Sequence, residues 1–427
     1  MLAQHAETTR AELVGADDRR PAIGSQFRVL LAIITATAIG ASGLAAGGTA
    51  TALLGIELTG TDAVAGVPMM LLVIGSALGA VLITRLSTAL GRARGLSGGY
   101  VLGASGALVT VLAATGGGFT LLLVGSTLLG CANAAVFLTR YAAAEIGGGA
   151  GRGHALGLTL FGTAIGAVLS PQLLGPSSSL ARAVGLPPLS GMFLIAAAVF
   201  AAASALLAAT PQMDARSANT PALRSRTGFV ASPRISLAEL RGAQVLTAVA
   251  ILALANLLMV SVMVVAPVRL VHHGHALDLI GVIISIHVAG MLAPSPITGW
   301  LADRFSPHGV ATLGLALMMN VGLLGVLLPE SDPVYVTAVL LLLGLGWNCG
   351  VVGGSALLVA VTPPATRPWA EALGEMAMSL GAAVAAPVAG VLLALAGLVA
   401  VWVCVATVAA IASLVSIRRA VRGMTLG

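Results

Sequence analysis

Charged side chains are scarce in this chain, and their scarcity limits the kind of solvent that its surface can face. Only 8% of the 427 residues are charged, whereas 58% are hydrophobic, and the mean hydropathy is +1.03. Soluble proteins carry roughly 25% charged residues. So few charges cannot cover the surface of a soluble protein of this length. The composition excludes one or two soluble domains and predicts an integral membrane protein in contact with a lipid bilayer.

Lysine is absent, since all 21 basic residues are arginine, and the isoelectric point is near 10.2. A basic chain could bind nucleic acid, but this needs a basic face on a soluble fold. Here the arginines lie between apolar runs, which is the pattern of membrane topology. We therefore expect no nucleic-acid partner.

Signals for metals and cofactors are also missing. The three cysteines have no C-x-x-C spacing, which predicts neither a disulfide framework nor a zinc site. His272, His273 and His275 are adjacent rather than helically spaced, which favours a solvated loop over a metal site. No nucleotide-binding loop of the Gly-x4-Gly-Lys-Ser/Thr type occurs. The acidic residues are too scattered for a membrane-embedded enzyme. We expect no metal, no cofactor and no enzymatic activity, and any energy that the protein uses must come from an ion gradient or a solute gradient and not from ATP.

Long apolar runs dominate what is present. A helix needs about 20 apolar residues to cross the hydrocarbon core of a bilayer. Twelve such runs occur, at 28–55, 63–84, 96–115, 119–145, 154–175, 189–209, 245–269, 278–301, 309–328, 334–360, 370–395 and 397–416. The last two are separated only around Ala396 and Gly397. The runs predict an all-α polytopic membrane protein with twelve transmembrane helices, which we number as spans in chain order.

The arginines alternate between the loops in a way that predicts orientation. If the N-terminus is cytoplasmic, the outer loops contain only Arg182 and Arg269. The inner segments contain Arg85, Arg92, Arg94, Arg152, Arg216, Arg224, Arg226, Arg234, Arg241, Arg304, Arg367, Arg418, Arg419 and Arg422. Arginine is retained on the cytoplasmic side of membranes. We expect a multi-pass protein of the cell membrane with both termini in the cytoplasm.

A polar segment rich in proline, serine and arginine divides the runs into six plus six. We predict a cytoplasmic tail at 1–26, without the features of a signal peptide, a six-helix bundle at 27–209, a cytoplasmic linker at 210–243, a second six-helix bundle at 244–417 and a tail at 418–427. The two bundles are weakly similar, since LLGCANAAV at 128–136 in the fourth span matches LLGLGWNCGV at 342–351 in the tenth. Such repeats are typical of transporters with a binding site between two bundles.

The stretch TGWLADRFSPH, residues 298–308, resembles a loop signature of the major facilitator superfamily, Gly-x-Leu-Ala-Asp-Arg-x-Gly-Arg-Arg. Gly299, Leu301, Asp303 and Arg304 match the copy that follows the eighth span, with Ser306 in place of a glycine. The copy after the second span is degraded: Leu86, Gly91, Arg92 and Arg94 fit, but Thr88 occupies the acidic position. The resemblance extends over the whole chain and implies two pseudo-symmetric six-helix bundles that act as a monomer.

Asp303 is the candidate for a gate at the cytoplasmic end. An acid at the end of one span can face basic groups or a helix N-terminus of the other bundle, where the helix dipole favours an anion. Such a latch closes the cytoplasmic side and opens when the bundles rock; its strength, about 0–1 kcal/mol, biases an equilibrium without locking it. The alternative is that Asp303 and Arg304 only end a helix near the lipid head groups.

The fifth span resembles the antiporter signature of the same superfamily. Gly157, Gly166, Pro171 and Gly175 have its spacing, although Ser170 and Leu174 replace two of its glycines. Glycines on one helix face allow close packing, and proline permits a bend. The resemblance implies export, while the alternative is an ordinary glycine-rich span.

Polar residues within the spans predict a cavity at mid-depth. Asn133, Phe137 and Arg140 share a face of the fourth span, which lines the cavity in the resembled family. Burial of Arg140 costs about 2.5–3.5 kcal/mol on insertion scales, so it must bind an anion, pair with an acid or reach the head groups. Asn256, Trp347 and Asn348 add hydrogen-bonding groups and an aromatic ring from the seventh and tenth spans; each could instead make an interhelical hydrogen bond. As a set they favour a small amphipathic solute.

Coupling to protons needs a group that titrates between the two sides of the membrane. His287 lies in the middle of the eighth span, and an unperturbed histidine titrates near pH 6.5. The alternative is that His287 is a neutral, hydrogen-bonded histidine of the core. Glu375 shares a face with Glu371 at the start of the eleventh span. Glu57 lies at the outer end of the first span, so the acid that many exporters carry within that span is missing. We therefore predict a proton-coupled exporter with His287 and Glu375 as candidates for the proton site, and an uptake symporter for a metabolite is the alternative.

Overall fold

The computed structural model describes residues 23–61, 66–148, 151–169, 174–217, 240–327 and 332–425. Within these ranges the chain is helical and has no β-strand. Within the described ranges, every predicted span overlaps one helix or two consecutive helices. In chain order the helices that correspond to the twelve spans are Ile23–Thr59, Gly66–Leu90, Arg92–Leu112, Gly118–Gly147, Arg152–Leu169, Ser190–Ala208, Ala243–His272, Leu277–Leu292 with Ser295–Arg304, Pro307–Leu327, Pro333–Val361, and Arg367–Thr425 for the last two.

The boundaries between spans lie at residues that break helices. Gly91 adopts a left-handed φ of 103° between the second and third spans, and a π-helical turn, Ala113–Gly117, joins the third to the fourth. At Gly397, φ is 76° and ψ is 179°, which separates the eleventh and twelfth spans inside one long helix. A left-handed φ suits glycine, which has no Cβ. The weak boundary seen in the sequence at Gly397 is thus a real interruption.

The eighth span is divided at Ala293 and Pro294, and Leu174–Ala183 and Gln212–Ser217 are additional short helices. Nine helical stretches in the described ranges are long and apolar enough to cross a membrane. Two of them, Arg92–Gly147 and Arg367–Arg419, each contain two predicted spans, and the fifth span, Arg152–Leu169, is not among the nine. The fold class predicted from the sequence is confirmed.

The first and last helices extend beyond the apolar runs. The first begins at Ile23, inside the predicted tail 1–26, and the last ends at Thr425, inside the predicted tail 418–427. Composition marks the edge of the hydrocarbon layer, whereas a helix can continue into the head-group region. The predicted tail residues 1–22, and 218–239 of the predicted linker, lie outside the described residues.

Glycine allows close contact between spans within each half. A Cβ on Gly75 of the second span would overlap the carbonyl oxygen of Thr127 in the fourth, and one on Gly353 of the tenth would meet the backbone of Ala311 in the ninth. Lipid tails are as apolar as leucine, so spans associate through such close packing. The loops and helix ends that carry Arg92, Arg152, Arg304 and Arg367 lie at one end of the bundle, which we call the arginine-rich end.

Candidate functional site between the two halves

Asp303 ends the eighth span against the N-terminus of the fifth. Its Oδ1 accepts a hydrogen bond from the backbone N–H of Gly153 at 2.7 Å, and its Oδ2 accepts one from the N–H of His154 at 2.8 Å. The first N–H groups of a helix have no partner inside the helix and carry the positive end of its dipole. A carboxylate of the second half therefore satisfies two open donors of the first half, which is the geometry required of the predicted latch. Arg304, the next residue, is exposed.

Glycines of the two sequence motifs meet at this same place. A Cβ on Gly299 would overlap the carbonyl oxygen of Gly153, and one on Gly157 would overlap the carbonyl oxygen of Ser295. The fifth and eighth spans are thus in backbone contact, and we call this contact the glycine seam. The gate motif and the antiporter motif, which are separate in the sequence, build one interface.

The rest of the predicted antiporter motif is divided between places. A Cβ on Gly166 would overlap the carbonyl oxygen of Ala38, so this glycine packs the fifth span against the first. Pro171 lies outside the described residues, and Gly175 falls in the short helix Leu174–Ala183. The role predicted for these residues in export stays a prediction.

The degraded copy of the gate motif works through a different residue. Thr88 donates to the carbonyl oxygen of Arg85 in its own span at 2.9 Å. Arg92 crosses to the second half instead: its Nη2 lies 2.6 Å from Oε2 of Glu371 in the eleventh span, and its Nη1 lies 3.6 Å from Oε1 of Glu145. Arg92 and Glu371 are buried, whereas Arg94 is exposed.

Gly91 and Asp214 orient the helix that carries Arg92. Asp214, in the helix Gln212–Ser217, accepts a hydrogen bond from the N–H of Ala93 at 3.0 Å. A Cβ on Gly91 would lie 2.6 Å from the carboxylate of Asp214. Asp214 thus supplies an acid for the N-terminus of the third span. Sequence analysis did not identify this contact, because the motif that it completes lies more than a hundred residues earlier.

Arg140 and Glu375 form an ion pair between the halves, about two helical turns from the arginine-rich ends of the fourth and eleventh spans. Nη2 of Arg140 donates to Oε1 of Glu375, and the side chains of both residues are at most 5% exposed. Nε of Arg140 donates to Oγ of Ser355 in the tenth span at 3.0 Å. A buried charge is tolerated only when it is paired and hydrogen-bonded. Arg140 could bind an anion, pair with an acid or reach the head groups, and in the structure it pairs with an acid.

The remaining contacts of Arg140 come from its own span. Nη1 donates to the carbonyl oxygen of Phe137 at 2.8 Å, and Nη2 donates to the hydroxyl of Tyr141 at 3.2 Å. The guanidinium carbon lies 5.5 Å from the ring centre of Phe137 and 4.5 Å from that of Tyr141. Every side of the guanidinium is therefore in contact, which fixes its position when the two halves meet at this end.

The other predicted cavity residues lie near this pair but make local bonds. Asn133 is partly exposed, and its amide donates to Oγ of Ser76 in the second span at 2.9 Å. The indole N–H of Trp347 donates to Oδ1 of Asn256 at 2.9 Å, and the amide of Asn256 donates to the carbonyl oxygen of Met378 at 2.9 Å. The bond of Asn133 lies within the first half, and the bonds of Trp347 and Asn256 lie within the second half. A role of these residues in solute binding stays a prediction.

Asn348 and His287 face the interior of the second half. The amide of Asn348 donates to Oγ of Ser295 at 2.6 Å and to the carbonyl oxygen of Met291 at 2.7 Å. His287 is 1% exposed, and its Nδ1 lies 2.7 Å from the carbonyl oxygen of Leu340. A carbonyl oxygen only accepts, so Nδ1 carries the proton. The structure thus brings Glu375, but not His287, to the contact between the halves.

A search of the described residues finds no group of three or more histidine, cysteine, aspartate or glutamate side chains that could hold a metal ion.

Comparisons with known proteins agree with this architecture. The sequence profile described as Major Facilitator Superfamily matches residues 31–347 and 250–423. The Bacillus subtilis (strain 168) protein called uncharacterized MFS-type transporter YddS is 31% identical over 375 residues, which cover 86% of this chain and 85% of that protein. The riboflavin transporter RfnT of Brucella anthropi is 28% identical over 372 residues, covering 86% of this chain and 89% of that protein. The solved structure of the proton:xylose symporter XylE superposes with a TM-score of 0.69 at 15% identity, covering 92% of this chain and 95% of that one.

Proposed function

The chain belongs to the major facilitator superfamily of membrane transporters, and we propose that it exports a small amphipathic or apolar solute in exchange for protons. The two halves rock about a central cavity that opens to one side of the membrane at a time. We further propose that the arginine-rich end faces the cytoplasm, in agreement with the arginine bias of the loops.

The buried pair of Arg140 and Glu375 is the observation that carries the proton coupling in this proposal. It joins the fourth span of the first half to the eleventh span of the second. When Glu375 takes up a proton from the open cavity, Arg140 loses its counter-charge while it is still buried. Removing one partner of a buried ion pair costs about 3–5 kcal/mol. Protonation therefore destabilises the state that is closed at the arginine-rich end, and an inward flow of protons resets the transporter.

Two features support exchange with export. First, the cavity residues Asn133, Phe137, Asn256 and Trp347 supply amide and aromatic surfaces of the kind that suits an amphipathic solute. Second, Gly157 of the antiporter-like span forms the glycine seam together with the gate motif. The fifth span can therefore change its packing against the eighth only as the gate opens.

An uptake symporter for a metabolite is the second candidate. The relationship to the riboflavin transporter of Brucella anthropi favours it, because riboflavin is a metabolite. The pair of Arg140 and Glu375 serves symport equally well, since a proton on Glu375 can travel in either direction with respect to the solute.

Everted (inside-out) membrane vesicles distinguish export from uptake by symport. Everted vesicles that contain the chain are given an acidic interior, and ethidium and radiolabelled riboflavin serve as probes. Export predicts that a probe accumulates inside and leaks out when nigericin collapses the pH gradient. Symport predicts instead that preloaded riboflavin leaves faster under the acidic interior.

Substitution of Glu375 gives the matched comparison. Glu375→Gln keeps the shape of the side chain and should abolish gradient-driven accumulation, while Glu57→Gln, at an exposed position of the first span, should leave it unchanged. Accumulation that persists after collapse of the gradient, or that Glu375→Gln leaves intact, contradicts proton exchange through this pair.

A further inference from the structure

Two ion pairs lie one above the other along the eleventh span. Glu371 and Glu375 are four residues apart, so they share a helix face and are one turn apart. Each is bound by an arginine of the first half, Glu371 by Arg92 and Glu375 by Arg140. We call this contact, between the third and fourth spans on one side and the eleventh on the other, the ionic seam.

Tyr141 connects the two pairs. Its hydroxyl accepts a hydrogen bond from Nη2 of Arg140 at 3.2 Å. A Cβ on Gly374, which lies between the two glutamates in the chain, would be 3.4 Å from the same hydroxyl oxygen. The tyrosine therefore lies against the eleventh span at the level between the carboxylates, and the two pairs belong to one continuous buried cluster.

Glu371 is only half satisfied. Its Oε2 binds Arg92, but its Oε1 is buried and has no hydrogen-bond partner, and the residue is 1% exposed. A buried acceptor without a partner carries its full cost of desolvation. A proton on Oε1 would neutralise the carboxylate of Glu371. The neutral side chain would then no longer need Arg92 as a counter-charge.

The charged and titratable groups that surround the two carboxylates all belong to the ionic seam and its rim. Among the described residues they are Arg92 on the third span, Arg140, Tyr141 and Glu145 on the fourth, and Arg367 on the eleventh. The side chain of Glu145 is 23% exposed and lies 3.6 Å from Nη1 of Arg92, so it links the buried cluster to the arginine-rich end.

We propose that Glu371 is a second proton-binding residue of the transport cycle, so that the arginine-rich end opens only after Glu371 and Glu375 have each taken up a proton. The proposal rests on the proposed function, in which Glu375 is the first proton site. With one carboxylate neutral, the other ion pair still holds the ionic seam. With both neutral, Arg140 is buried without a counter-charge and Arg92 keeps only Glu145 of its own half, so no ion pair holds the ionic seam and opening returns both arginines to water.

The glycine seam provides the contrast that makes this assignment specific. There Asp303 is bound by backbone N–H groups, and Gly153, Gly157 and Gly299 are in backbone contact. The contacts described for that seam contain no carboxylate paired with an arginine. Of these two seams, the ionic seam is therefore the one whose arginine–carboxylate pairs a proton would break.

The test measures opening directly and needs no solute. Spin labels are placed on cysteines introduced at Ala89 and Ala365, two exposed residues at the ends of the second and eleventh spans, after replacement of Cys131, Cys349 and Cys404. The distance distribution between the labels in lipid nanodiscs is then recorded as a function of pH. A two-proton opening changes the ratio of open to closed molecules by up to about 100-fold per pH unit, and a one-proton opening by about 10-fold.

We expect the steeper dependence in the wild-type protein and the shallower one in both Glu371→Gln and Glu375→Gln. The double variant should be open at all pH values. Arg92→Gln, which removes the partner of Glu371 and leaves the carboxyl in place, should also give the shallower dependence, and it serves as the second variant if Glu371→Gln does not fold. Asp303→Asn, in the glycine seam, should shift the population but keep the wild-type slope.

A wild-type slope in Glu371→Gln or Arg92→Gln, or a one-proton slope in the wild-type protein, overturns the inference. In either case the proposed function stands if the vesicle assay still shows proton-driven accumulation that depends on Glu375. If that assay fails instead, the proposed function is wrong, whatever slope the labels report.

Discussion

Gly299 and Gly153 face each other so closely that a Cβ on either would overlap the carbonyl oxygen of the other. The eighth span of one half thus touches the fifth span of the other through backbone alone. Because no side chain at this point can move aside, any larger residue must separate the two helices. This contact brings the carboxylate of Asp303 within 2.7 Å of the backbone nitrogen of Gly153.

Gly299→Ala should keep the arginine-rich end from closing. The added methyl group meets a backbone oxygen, and relief requires the spans to separate, which also lengthens the hydrogen bonds of Asp303. Labelling of an introduced cysteine at Ala302, which is buried in the closed state, should become faster. Gly390→Ala is the matched control, because a Cβ there has no atom within 4 Å. Equal labelling of the two variants would contradict the close packing of the seam.

Asp303→Asn should slow turnover and leave the affinity for the solute largely intact. The neutral amide loses the charge that faces a helix N-terminus and one of the two acceptors. Loss of such a cap costs about 0.5–2 kcal/mol, which corresponds to a roughly 2- to 30-fold change in the balance between closed and open states. Transport rate and binding, measured separately with the probe that the vesicles accumulate, check this prediction.

Asp332→Asn is the control for the latch. Asp332 caps the tenth span by accepting a hydrogen bond from the N–H of Val334 at 2.9 Å, within one half of the molecule. Asp332→Asn therefore also removes the negative charge at a helix N-terminus, but it changes no contact between the halves. If both variants slow turnover equally, the effect of Asp303 is one of helix stability and not of gating.

Arg140 and Glu375 should depend on each other for stability. Arg140→Gln or Glu375→Gln alone leaves one buried charge unpaired and should lower the free energy of unfolding by about 3–5 kcal/mol. The double variant should be less destabilised than the sum of the two, and thermal unfolding in detergent of all four proteins gives the coupling energy. Additive losses would mean that the two charges do not compensate each other.

Gly91→Ala should destabilise the first half for two separate reasons. Its φ of 103° is unfavourable for a residue with a Cβ, at about 1–2 kcal/mol, and the new methyl group lies 2.6 Å from the carboxylate of Asp214. Gly118→Ala isolates the first reason, since Gly118 has a φ of 78° and a ψ of 178°, near the 103° and 157° of Gly91, with no atom within 4 Å of the added Cβ. A larger loss of stability in Gly91→Ala than in Gly118→Ala measures the contact with Asp214.

The sequence was sufficient for the fold because the bilayer demands long apolar helices whatever their neighbours. Hydrophobic runs located each helix, and glycine located the interruption at Gly397. The cap on the fifth span could also be predicted as a possibility, because Asp303 occurs in a motif that ends a span. The identity of its partners, Gly153 and His154, could not, since it depends on how the two halves meet.

Long-range pairs were the part that sequence reasoning missed. Glu371 is near the start of its span, where an acid usually contacts water, but the structure buries it against Arg92. Asp214 lies in a segment that looks like a linker, although it binds the third span. In both cases the partner is more than a hundred residues away, and no local spacing indicates it.

The difference between the two seams has a consequence for how such a protein can change over generations. The glycine seam is made of peptide groups, so exchanging side chains cannot adjust its strength without breaking it. The ionic seam consists of four side chains. Replacing any one of them alters which ions drive the motion, while the glycine seam stays the same. Descendants of this chain that use another energy source should therefore keep Gly153, Gly157 and Gly299 and differ at Glu371 or Glu375.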